Sequence, residues 1–122
     1  MANWPKSLKN RLPGGIIYVV GGAGQWDSKT HLSDLEGFVF VDYRSLAGCL
    51  ETVPRPTAIL SVLFGTGFDA VDIASELHRA GFQGQYRAIA SRLPRPELVR
   101  REVAHAAPGL DFDIIDIEDL FG

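Results

Sequence analysis

One cysteine, one methionine and no lysine beyond Lys29 mark this 122-residue chain. A lone cysteine excludes an internal disulfide framework and fits a reducing compartment. No apolar run approaches the roughly 20 residues that a membrane span requires, so no membrane partner is expected. The opening Met1-Ala2-Asn3-Trp4-Pro5-Lys6 has no apolar core behind its charge. It is therefore not expected to be a secretory signal, and the cytoplasm is the expected compartment. The net charge of −3 is mild. The basic residues lack interleaved aromatics, which speaks against nucleic acid. His31, His78 and His105 share no metal-ligand spacing and have no cysteine nearby, so no metal site and no cofactor is expected. His78 and His105 fall on helical segments, at solvent edges.

The chain does hold apolar runs of strand length, set apart by segments of helical period. Residues 1–13 read as a polar lead-in, with a helical turn near Ser7–Leu12. Residues 14–122 read as one domain. Ile16–Val20, Phe38–Asp42, Ala58–Phe64, Tyr86–Ala90 and Phe112–Ile117 are the predicted strands. The run Ala58–Phe64 is apolar almost throughout, as in a strand covered on both faces, and it takes the centre. Leu46, Cys49, Leu50 and Val53 form one helical stripe; Ala70, Ile73, Ala74 and Leu77 form another. Gly81 is placed to cap the helix over Phe68–Ala80. Pro96 opens a further helix, with Val99, Val103 and Ala106 inward, which stops at Pro108-Gly109. The alternation predicts an α/β fold with a five-stranded parallel sheet.

Two segments stand out as thin. Gln25–Gly37, the first crossover, has only Leu32 and Leu35 as aliphatic residues, so its helix is weak. The chain ends soon after the fifth strand, so a fifth helix is missing and truncation of a longer chain is an open reading. The expected consequence is one sheet face left partly uncovered. Such an apolar surface marks an interaction site. The expected partner is a protein, with a homodimer first among the forms, and the competing reading has residues 1–13 cover that face.

The central stretch Thr57–Ala70 resembles the response-regulator receiver domain, a flavodoxin-like three-layer fold. The resemblance spans about residues 14–117. Laid over the family pattern without gaps, Val62 takes the phosphoacceptor position, and a shift by one puts Ser61 there. Gly67 and Asp69-Ala70 match the run into the third helix, and Ser91 falls at the switch Ser/Thr. The family chemistry needs an aspartate nucleophile, acids after strand one to hold Mg²⁺, and a lysine near strand five. Val62 cannot accept a phosphoryl group, no acid lies between Gly14 and Trp26, and the last lysine is Lys29. The resemblance therefore implies a degenerate, non-catalytic receiver that signals by protein contact, and not an enzyme.

Two other patterns compete. Gly21-Gly22-Ala23-Gly24 after a strand, with Asp42 ending the next, resembles the glycine-rich turn of extended short-chain dehydrogenases. Asp27 stands where the third glycine belongs, facing the pyrophosphate. The alternative function is accordingly a small-molecule or nucleotide-binding domain using the carboxyl edge: Gly21, Gly22, Gly24, Asp42, Gly65 and Thr66. Val41–Ser45 is similar to rhodanese-like sulfurtransferases, but the loop Phe64–Gly67 has no cysteine nucleophile. Cys49 lies on an apolar stripe, as a small buried thiol does. Finally, Arg87, Arg92, Arg95, Arg100 and Arg101 cluster near the fourth strand and last helix, opposite the acids Asp111, Asp113, Asp116, Glu118 and Asp119. They are the candidate partner surface, able to pair with the acids across a symmetric dimer.

Overall fold

The computed structural model describes residues 12–21, 37–52, 55–65 and 67–116. Strands β1 (Ile17–Val20), β2 (Phe38–Val41), β3 (Ala58–Val62), β6 (Gln85–Ala90) and β7 (Asp111–Asp116) form one sheet in the order β2-β1-β3-β6-β7. Every pairing in it is parallel. Counting only these five strands, the order is 2-1-3-4-5, the doubly wound flavodoxin-like arrangement. β3 is central, as its apolar run requires: Ala58, Ile59, Leu60 and Ser61 are all fully buried. The expected strands are present, with ends shifted by a residue or two. The weak first crossover and the missing fifth helix concern segments outside the described residues.

One element was not foreseen. Phe64–Gly65 (β4) and Phe68–Asp69 (β5) form a small antiparallel ribbon at the end of β3. Gly65 opposes Phe68, and Gly67, in the turn just before Phe68, takes φ +83°. Glycine suits such a turn because it adopts positive φ without steric cost. A Cβ on Gly65 would run into the Phe68 ring, so the close approach also favours glycine there.

Helix α1 (Leu46–Leu50) follows a 3₁₀ turn over Tyr43–Ser45. Helix α2 (Ala70–Arg79) begins at a reciprocal cap. The Asp69 carboxylate accepts the Asp72 N–H at 2.9 Å, and the Asp72 carboxylate accepts the Asp69 N–H at 3.0 Å. This satisfies two backbone donors that a helix start leaves bare. At its other end Phe82 N–H bonds to Leu77 O and Gly81 N–H to His78 O, with Gly81 at φ +71°. That double bond pattern is a Schellman cap, as the position of Gly81 predicts. Helix α3 (Pro96–Ala106) starts on its proline. Of its expected stripe, Val103 is buried and Val99 is half-buried, while Ala107 joins the core just beyond the end.

All three described helices lie on one face. Leu46 and Leu50 of α1, Ile73, Ala74 and Leu77 of α2, and Val103 of α3 share a cluster with Tyr18, Ile59, Tyr86 and Ala88 of the sheet. The other face holds a second cluster: Leu12, Ile17, Val19, Phe38, Ala58, Leu60, Ile89 and Ile115. These residues are at most 8 % exposed. The expected open apolar face is therefore corrected. Its apolar residues are out of water, and Leu12 of the lead-in is one of them. That face also turns polar toward β7. The register sets Gln85 and Arg87 beside Asp111 and Asp113, where an apolar seat would have to be. Among the described residues no helix is long and apolar enough to cross a membrane.

Candidate functional site

In an open α/β sheet, ligands gather beyond the carboxyl ends of the strands, where the strand order reverses. Here that point lies between β1 and β3. β1 ends at Gly21, which is buried at φ +118° and donates its N–H to Val41 O at 3.0 Å. β2 ends at Asp42, whose carboxylate is exposed and makes no helix-cap bond. β3 ends at Val62, half-buried and packed against both clusters. β6 ends just before Ser91, which is exposed. Val62 and Ser91 thus stand at strand ends on this edge, together with Gly21, Asp42 and Gly65. Gly22, Gly24 and Thr66 lie outside the described residues, as does His31.

Ser61 is not at the edge. It is 0 % exposed and points under the helices. Its hydroxyl lies 2.7 Å from the Tyr86 hydroxyl and donates to Val62 O at 2.9 Å. The Tyr86 ring is wholly buried and meets Phe112 at 5.1 Å between centroids. Burial pushes the Tyr86 phenol far above its ordinary pKa, and the Ser61 hydrogen bond only partly offsets this. Ser61 is a satisfied core hydroxyl, with no base beside it to make it a nucleophile.

The ribbon builds the rest of the edge. Phe68 stacks on Tyr43 with centroids 5.2 Å apart and planes 19° apart. Burial raises the Tyr43 phenol above its usual value; the charges of Asp72 and Glu76 add to this, and Arg79 opposes it. The Gly65-Thr66-Gly67 spacing was the signal that could have revealed the ribbon, since two residues between short runs make a tight turn.

The arginines do not form one free surface. Arg87 is only 15 % exposed and donates to Asp111 O at 2.8 Å and to its carboxylate at 3.1 Å. Arg100 holds the Asp113 carboxylate at 3.0 Å. These pairs close within the chain. Arg95 and Arg101 are exposed, and Arg92 takes φ +51° on the exposed turn after β6. Partial burial pushes the Asp113 carboxyl up. The Ile114 N–H, the Arg100 hydrogen bond and the Arg100 and Arg87 charges outweigh it, and the net shift is downward.

Cys49 is half-buried against the helical core, and its carbonyl accepts the Tyr18 hydroxyl at 3.1 Å. His78 and His105 are exposed, as expected. Among the described residues no three His, Cys, Asp or Glu side chains gather as metal ligands. One cleft, about 290 Å³, lies between α1 and α2 over Glu51, Arg55, Glu76 and Arg79. Another, about 390 Å³, lies at the amino edge over Arg55 and Gly81–Gly84. A third, about 160 Å³, sits beside α3 at the carboxyl margin, over Ala90, Leu93, Arg100 and Asp116. Gly21, Asp42 and Gly65 line none of the three. Compared with known proteins, the chain matches no family model, no curated protein and no solved structure.

Proposed function

We propose that the chain is a receiver-like module that has lost phosphoryl chemistry and works by protein–protein contact. The observation that carries this reading is the end of β3. The position that would accept a phosphoryl group holds Val62, and its neighbour Ser61 is sealed in a hydrogen-bonded pair with Tyr86. Around it, the edge offers Gly21 after β1 and the exposed Asp42 after β2. A receiver-type metal pocket needs carboxylate oxygens converging on one ion. The five-strand parallel order supports the resemblance at the level of fold, while function has to be argued from the site.

The test exposes the chain to acetyl phosphate with Mg²⁺ and reads intact mass. No added phosphoryl mass is the expected result. A stoichiometric adduct that maps to Asp42 would defeat the proposal. A thermal-shift panel of nucleotides separates the rival small-molecule reading. Stabilisation that disappears in Asp42→Ala would favour that reading instead.

A further inference from the structure

The two outer strands of the sheet differ in what their free backbone groups do. In a parallel ladder, alternate residues turn N–H and C=O to opposite sides. Ile17 N–H bonds to Gly37 O and Gly21 N–H to Val41 O, so Val39 and Val41 face β1. Phe38 and Phe40 then point their N–H and C=O groups outward. No acceptor for these N–H groups occurs among the described residues. β2 carries neither a charge nor a proline, and Val39, on the helical face, is 44 % exposed.

On β7 the outward residues are Phe112, Ile114 and Asp116, since Gln85 bonds toward β3 and Tyr86 therefore toward β7. The N–H groups of Phe112 and Ile114 are both taken. Phe112 donates to Leu110 O at 3.0 Å, and Ile114 donates to the Asp113 carboxylate at 2.7 Å. Asp111 and Asp113 add charge beside that edge. This is an edge protected against strand addition.

We infer that β2 pairs antiparallel with β2 of a second copy of this chain, joining two sheets across a two-fold axis. The argument for a second copy lies in the pair of edges. Head-to-tail addition of β2 to β7 would build an open filament, and the occupied groups of β7 block it. The pairing left is closed and self-complementary. The hydrogen-bond phase sets Phe38 against Phe40 of the second copy, because these are the outward residues. Val39 then meets Val39 of the second copy on the axis, at a non-hydrogen-bonded position where Cα atoms approach to about 4.5 Å. This inference deepens the contact-module reading and rests on it.

The test combines sedimentation with cross-linking. Wild type should dimerise reversibly. Val39→Lys, which sets like charges face to face, should raise the dimer dissociation constant by about tenfold or more while leaving the melting temperature of the dilute, monomeric protein unchanged. Leu98→Lys, at an exposed large apolar residue on α3, should dimerise as wild type does. Under mild oxidant, Val39→Cys should form a disulfide dimer linked at residue 39, because 4.5 Å falls within disulfide reach. Leu98→Cys should not. A wild type that stays monomeric at all concentrations, or a dimer that survives Val39→Lys, overturns the inference. Either outcome leaves the proposed function to its own test, because a contact module needs no second copy of itself. A phosphoryl adduct would strike that reading while leaving the pairing data unaffected.

Discussion

β2 and β7 bound the same sheet, yet among the described residues the N–H groups of Phe112 and Ile114 on β7 have acceptors and those of Phe38 and Phe40 on β2 have none. β7 closes itself with its own sequence. In Asp111-Phe112-Asp113-Ile114-Ile115-Asp116 the apolar residues Phe112 and Ile114 face α3. Asp111 and Asp113 point the other way, and Asp113 reaches back to the Ile114 N–H and out to Arg100. β2, Phe38-Val39-Phe40-Val41, has no polar side chain that could do this. The comparison teaches that an edge strand is protected by what alternates with its apolar residues. Equal apolarity on the buried side leaves the two edges with opposite properties.

Substitutions under both edges set the scale. Tyr86→Ala should cost about 3–5 kcal/mol and Leu60→Ala about 2–5 kcal/mol, by cavity formation on the two sides of the sheet. Urea unfolding would measure both. A cost below about 1 kcal/mol for Leu60→Ala would mean that the second face is not packed, in conflict with its full burial. Tyr86→Phe is smaller, about 1 kcal/mol, since it removes only the hydroxyl bonded to Ser61.

Asp113→Ala breaks the comparison itself. It frees the Ile114 N–H and unpairs Arg100, both at an exposed position, so about 1 kcal/mol is expected. The informative readout is association: with both edges open, species larger than a dimer should sediment. The smallest effect is the pH dependence. The Asp113 pKa is lowered on folding. Its contribution is therefore present above the ordinary carboxylate pKa of about 3.9 and is lost as pH falls through the lower folded value. Asp113→Asn should flatten that part of the acid stability profile. Tyr43 and Tyr86 work in the opposite sense, because folding raises their pKa values. Their contribution is present below pH about 10 and is lost at higher pH.

The strands were legible because each is a short apolar run bounded by glycine, proline or charge. Helix α2 was legible through its stripe and Gly81, because cap and period agree there. The ribbon was not, since Phe68 and Asp69 read equally well as a first helical turn, and only the close approach of Phe68 to Gly65 separates the two. The edge positions of Val62 and Ser91 followed from strand ends. The burial of Ser61 did not, because one polar residue in a run does not say which way the pleat turns it. The pairing of Arg87 was not legible for a related reason. Arg87 and Asp111 are distant in sequence, and their ion pair depends on strand register, which charge counting does not carry. The uncovered face misled because it was inferred from counting helices, whereas β6 and β7 present charge on that side.

Backbone amide exchange of Phe38, Phe40, Phe112 and Ile114, followed at low and high protein concentration, tests the account most directly. The prediction is that Phe112 and Ile114 are protected equally at both concentrations, while Phe38 and Phe40 gain protection as concentration rises. Exchange at Phe38 and Phe40 that ignores concentration, or protection that grows at Phe112 and Ile114 instead, would contradict it.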